Sequence, residues 1–142
     1  MTEETPPPPE GFVEVVRGPF SHLNGPLFNR PVAPPHVEYA VFLRPRHMNA
    51  AGVLHGGMLS TFLDVLLGSA LDPGCGRPGV TVQLSVTFLR MARPGEWLQG
   101  RAQLTHATRD LAFCEGRAFV GSRDVGHATG VFKLMNPPRT TA

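Results

Sequence analysis

The sequence predicts an α+β domain in which one long apolar helix lies in the curve of an antiparallel sheet. Three observations lead there. Between Gly56 and Leu71, the residues Met58, Leu59, Phe62, Leu63, Val65, Leu66, Leu67, Ala70 and Leu71 cover more than one face of a 3.6-residue helix, the pattern of a buried helix. From Val80 to Phe88, Val80, Val82, Leu84, Val86 and Phe88 alternate with Thr81, Gln83, Ser85 and Thr87, a period of two that reads as a strand. Beyond Phe88 three more strand-like runs are joined by short turns, which makes neighbours antiparallel.

The elements follow in order. Residues 1–10 hold Pro6 to Pro9 and three Glu, and read as a disordered or polyproline-like tail ahead of a single domain over 11–142. Phe12 to Val16 starts a short helix or an extended segment. Gly18 to Pro35 is dense in Gly, Pro and Asn, so it reads mostly as loop with one short strand near Leu27–Arg30. His36 to Arg44 alternates as a strand that Pro45 ends. A loop through Asn49 to Leu54 leads into the helix, and Asp72-Pro73-Gly74 reads as its stop and a turn. After the alternating strand come Trp97–Thr108, Leu111–Val120 and Val125–Leu134. The middle run sets Ala112, Cys114, Gly116, Ala118 and Val120 on one face, which suits close approach of the helix.

Bulk properties exclude several function classes. The 142 residues fit one domain with one core. The net charge is +2 and the thirteen Lys and Arg are scattered, so no nucleic-acid footprint is present. No apolar run is long enough to span a membrane. The acidic, Pro-rich start does not read as a signal peptide, and a cytoplasmic protein with two reduced thiols is the expectation. Cys75 and Cys114 form no CxxC motif. His22, His36, His47, His106 and His127 show no metal-ligand spacing, so no metal or cofactor is expected and surface or hydrogen-bonded roles are assigned to them.

Two features carry chemistry. Gly56 and Gly57 open the helix, where unpaired backbone N–H groups meet the positive end of the macrodipole. Lacking a Cβ, they let a ligand oxygen approach those groups, as an acyl carbonyl needs when it becomes an oxyanion. Asp64 is the one charged side chain between Gly56 and Leu71. A carboxylate in so apolar a setting must be paired, hydrogen-bonded or shifted in pKa, and such groups cluster at functional sites. Gly56 and Asp64 are eight residues apart, roughly 12 Å along a helix. One copy of each therefore cannot serve the same carbonyl carbon. If both are catalytic, the sites are composite, shared between two antiparallel helices of a homodimer.

The residues Asn49-x-x-Gly52-x-x-His55-Gly56-Gly57 followed by Asp64 closely resemble the hotdog-fold acyl-CoA thioesterases, in the branch of phenylacetate-pathway and 4-hydroxybenzoyl-CoA thioesterases. The resemblance runs over about residues 36–135, through Pro78-Gly79-Val80-Thr81-Val82, Val86-Thr87-Phe88, Arg93-Pro94-Gly95-Glu96 and Leu111-Ala112-Phe113. It implies the hotdog fold and hydrolysis of an acyl or aryl thioester to free acid and coenzyme A. It further implies that the Gly56 amide polarises the carbonyl while Asp64 of the other subunit acts as nucleophile or general base. Asn49 then orients the water or the loop, and Thr81 helps hold the water. Partners implied are an acyl-CoA substrate and a homodimer or a tetramer of two dimers. His55, Gly57, Val53 and Leu63 are candidate substrate contacts, and Phe42, Leu54, Phe62 and Phe88 candidate acyl-pocket walls.

The same residues have plainer readings. Gly56-Gly57 reads alternatively as a flexible loop, Asp64 as a helix residue at a subunit edge, and Thr81 as one of the polar residues of its strand. Cys114 reads as core. Two other functions fit the fold: a dehydratase or hydratase working through His55 and Asp64, and a non-catalytic acyl-CoA-binding protein.

Overall fold

The computed structural model describes residues 3–136. Seven strands form one antiparallel sheet in the order β1-β2-β3-β5-β6-β7-β4, from β1 (Val13–Val15), β2 (Leu27–Arg30), β3 (His36–Phe42), β4 (Gly79–Phe88), β5 (Trp97–Ala107), β6 (Leu111–Val120) and β7 (Arg123–Leu134). The helix α2 (Gly56–Ser69) packs against the curved sheet and buries Met58, Leu59, Phe62, Leu63, Leu66 and Leu67. This is the helix in the curve of an antiparallel sheet that the sequence pattern predicts, and the hotdog fold that the resemblance implies.

Glycines on the sheet let α2 sit this close. A Cβ at Gly100 would lie 2.6 Å from Leu66 Cδ2, and one at Gly126 would lie 2.9 Å from Leu59 Cδ2. On the β6 face of small residues, a Cβ at Gly116 would lie 3.1 Å from Leu67 Cδ2. With side chains at these positions, the leucines of α2 would have to give way before the helix could pack this close.

Four parts differ from the sequence-based expectation. Within Gly18–Pro35, a short helix α1 (Pro19–Asn24) interrupts the loop, with Pro19 at its first turn where a missing N–H costs nothing. Past Ala70 the main helix resumes as α3 (Leu71–Cys75), so Asp72-Pro73-Gly74 lies inside a helix. The stop falls at Gly76, whose φ of 70° needs glycine. Of the 1–10 stretch, residues 3–10 are tethered to the domain through Glu3, Glu4, Thr5 and Glu10, rather than free. Finally, α2 is fully buried on one side only, and Ser60, Thr61, Asp64 and Val65 remain half-exposed on the other.

The fourth difference continues in β4. A bulge between Thr81 and Gln83 inserts Val82 into the strand, so the parity facing the helix switches. Before it, Gly79 and Thr81 face the helices; after it, Leu84, Val86 and Phe88 do. The uniform alternation expected from Val80 to Phe88 is therefore broken. Val80 and Val82 are left 54% and 58% exposed. β4 pairs with β7 on one side and ends the sheet on the other.

Candidate active site

The site begins in the loop before α2. Asn49 Oδ1 accepts hydrogen bonds from the backbone N–H of Ala51 at 2.9 Å and of Val53 at 3.2 Å. Its own N–H donates to Val53 O at 2.8 Å, and Gly52, at φ 78°, donates to Asn49 O. These bonds hold the backbone of the Asn49–Val53 turn in place. Val53 is half-buried at the end of that loop. The chain is then pinned by Leu54 N–H on Ala92 O at 2.8 Å and by His55 N–H on His47 O at 3.0 Å.

His55 is the N-cap of α2. Its backbone is extended, and its Nδ1 accepts from Gly57 N–H at 2.7 Å. A ring nitrogen thus does what a Ser or Asp oxygen does at most helix starts. The consequence falls on Gly56. Its neighbour's N–H is taken, while among the described residues nothing accepts from the Gly56 N–H itself. That amide stands at the positive end of a fourteen-residue helix. The Phe88 ring closes one side of it, since a Cβ at Gly56 would lie 3.2 Å from Phe88 Cε1.

Asp64 sits two turns along the same helix. Thr81 Oγ1 donates to its Oδ1 at 2.7 Å. Asp64 is half-exposed beside the sheet edge rather than sunk in apolar surroundings, so in one chain its charge is met by a hydroxyl and by water. The bulge is what makes this contact: were Val82 paired in regular alternation, Thr81 would lie on the outer face with Ser85 and Thr87.

The residues fall into two clusters: His55, Gly56 and Gly57 at the start of α2, with the Asn49 loop leading into them, and Asp64 with Thr81 two turns further along the helix. Leu63 and Phe62 belong to neither; both are fully buried in the core under the helix. Phe42 packs against the Trp97 ring, 5.4 Å between centroids. Beside the first cluster a cavity of about 390 Å³ is lined by Phe20, Met48, His55, Gly57, Met58 and Thr61, with Arg46 and His47 at its rim. Among the described residues no three His, Cys, Asp or Glu come together as a metal site, and no helix is long and apolar enough to cross a membrane.

Of the surface and hydrogen-bonded roles expected of the histidines, His47 takes the second. It is buried, its Nδ1 accepts from Arg44 N–H at 3.0 Å, and its Nε2 lies 2.9 Å from Asn24 O. Burial, and then the neighbouring Arg46 guanidinium, hold its imidazole below the usual histidine range. The neutral ring links α1 to the loop that carries Asn49. The Asn24 partner, 23 residues earlier, is the part of its role that the sequence does not mark.

Comparison with known proteins gives consistent matches. The family model described as the thioesterase superfamily matches residues 51–127, which take in α2, Thr81 and the strands from β4 to the first part of β7, and begin just after Asn49. A Pseudomonas aeruginosa protein named as a candidate esterase is 38% identical over 131 residues, covering 89% of this chain and 96% of that protein. Human acyl-coenzyme A thioesterase 13 is 32% identical over 95 residues, 66% of this chain and 68% of its own length. Among solved structures, a conserved protein from Pseudomonas aeruginosa superposes with a TM-score of 0.78 at 26% identity, covering 84% of this chain and 95% of that one.

Proposed function

The chain belongs to the thioesterase superfamily, and we propose that it hydrolyses acyl-coenzyme A at two sites, each shared between two copies of the chain. In each site Gly56 N–H of one copy binds the thioester carbonyl oxygen. Asp64 of the other copy attacks the carbonyl carbon or takes the proton of the water that does. The C–S bond then breaks and the thiol leaves with a proton; where Asp64 itself attacked, water next cleaves the acyl-aspartyl anhydride, so that by either route the free acid remains.

The observation that carries this reading is how β4 lies over α2. Thr81 touches Asp64 near one end of the strand, and Phe88 touches Gly56 at the other. The free edge of β4 exposes backbone groups and the side chains of Val80, Val82 and Phe88, an edge that favours pairing with another strand. If two copies of β4 pair antiparallel about an axis through Ser85, Leu84 lies opposite Val86 and Gln83 opposite Thr87, and the bulge then sets Thr81 and Val82 of each opposite Phe88 of the other. Asp64 of one copy then comes to Gly56 of its neighbour, twice, as an isologous contact requires. The spacing that separates the two residues within a chain is thus the spacing that a two-fold axis converts into proximity.

The dehydratase reading needs His55 as an acid or base. The engagement of its Nδ1 by Gly57 weighs against that role. The test is thiol release from purified protein across aryl-, short-, medium- and long-chain acyl-CoAs, with reversible water addition to crotonyl-CoA as the rival assay. Release of coenzyme A from at least one class supports the proposal; release from none, or hydration alone, refutes it.

A further inference from the structure

A second polar feature lies outside both clusters, under the N-terminal segment. Arg44 follows β3 and is only 6% exposed. Its Nη1 donates to Glu4 O at 3.3 Å and its Nη2 to Thr5 Oγ1 at 2.6 Å. Its Nε is buried and makes no hydrogen bond among the described residues. The nearest carboxylate oxygen, Glu3 Oε2, lies 3.3 Å from that Nε and is shared with Arg46 Nε at 3.7 Å. A guanidinium fork is built to hold a planar or tetrahedral oxyanion through paired N–H groups. Here the two Nε groups share one poorly aligned oxygen from a side chain that is itself 56% exposed, while the Nη groups of Arg46 meet Gly25 O and His47 Nε2.

The space around them is larger than Glu3 needs. These residues line a cavity of about 580 Å³ that also receives Arg17 and Glu14. Arg17 is satisfied by the Tyr39 hydroxyl rather than by an acid. Three guanidiniums therefore face two carboxylates, and leaving a buried guanidinium without a well-seated anion is unfavourable. Arg46 lines this cavity and also the smaller one beside His55 and Gly57, so the two adjoin through one side chain.

We propose that this cavity is a binding site for a phosphate or carboxylate group, held by Arg44 and Arg46, with Glu3 as a tethered stand-in for the ligand. Glu3 is replaceable because exposed ion pairs contribute little. Its effective concentration, set by a short tether, is of millimolar order. The anion that displaces it carries more charge, or a second oxygen, into the unpartnered Nε. The site stands apart from the proposed hydrolysis; only the second arm of its test rests on that reading.

The probe is inorganic phosphate, titrated into the full chain while the arginine Nε–H resonances are followed by NMR. Phosphate should shift the Arg44 and Arg46 signals. Glu3→Gln should bind it at least about threefold tighter, because an intramolecular competitor is gone, and Arg46→Gln should bind it more weakly. Thermal midpoints check that both exposed variants stay folded. A Glu3→Gln protein that binds phosphate no tighter than the parent, or signals of Arg44 and Arg46 that do not respond, overturns the site and leaves Glu3 as a structural strap. The second arm distinguishes sources. A KM for acyl-CoA that phosphate raises competitively, and that is lower in Glu3→Gln, assigns the anion to the substrate. An unchanged KM with the same tightening of phosphate binding assigns it to a free anion, and either result upholds the site. Phosphate binding is read without turnover, so an inactive protein leaves that result standing.

Discussion

The hydroxyl of Thr81 donates to Oδ1 of Asp64 at 2.7 Å, tying the middle of α2 to the free edge strand of the sheet. The contact exists because one extra residue in β4 turns Thr81 from the outer face to the helix. Its direction matters: a hydroxyl donating to a carboxylate fixes which oxygen stays available for chemistry.

From this follows a graded pair of variants. Asp64→Asn keeps the shape and loses the base or nucleophile, so kcat should fall by about 10²–10⁴-fold. Thr81→Ala should lower kcat by roughly tenfold, the scale of one lost orienting hydrogen bond. Steady-state kinetics on the best acyl-CoA, with circular dichroism to check folding, measures both. Equal losses would mean that Thr81 does more than orient.

Gly56→Pro isolates the amide. His55 already has the extended backbone that precedes proline, with φ −66° and ψ 136°, and proline is favoured at the first helical position. The Phe88 ring must give by a few tenths of an ångström. The substitution deletes an N–H that no described residue uses, so stability should change little while kcat falls about 10²–10³-fold. Unchanged kcat in a folded protein would remove Gly56 from the oxyanion role.

The His55 cap is a stability element. His55→Ala leaves Gly57 N–H without its acceptor and should destabilise the fold by about 1 kcal/mol, read as a lower midpoint in urea, while His55→Asn should restore most of it. If Asn rescued stability and not turnover, the imidazole would have a chemical role as well.

Cys114 should be inert. Burial, and then the nearby Cys75, push its thiol up to about 11. A group whose pKa is raised in the folded state stabilises below its ordinary value of 9.0 and loses that contribution as pH rises through about 11. At pH 8, a thiol reagent should therefore leave Cys114 unmodified in folded protein, and Cys114→Ala should retain full turnover. Rapid labelling at pH 8 would show that the site opens.

The parts legible in the sequence are those set by local pattern. The Gly-Gly helix start, the apolar run of α2 and the small face of β6 depend on spacing alone, and each sits where the pattern places it. What was not legible depends on distant partners. Nothing local marks Val82 as a bulge, since its neighbours alternate without a break; the register against β7 decides it. The helix α3 hides behind Pro73-Gly74, whose turn signal is overridden by packing of Leu71 in the core. Arg44 and Glu3 are 41 residues apart, and His47 reaches backbone atoms of Asn24. The separation of Gly56 from Asp64, by contrast, was readable from numbering alone, and with it the need for a second chain if both residues serve one carbonyl.

That need is tested most directly by mixing two inactive variants. Asp64→Asn and Gly56→Pro are purified, denatured together in equal amounts and refolded, with each variant refolded alone as control. If the sites are composite, half of the dimers are mixed and each holds one intact site, so activity should return to about one quarter of the parent's. No activity beyond the sum of the two controls, in a sample shown by mass spectrometry to contain mixed dimers, would contradict a site shared between Gly56 of one chain and Asp64 of another.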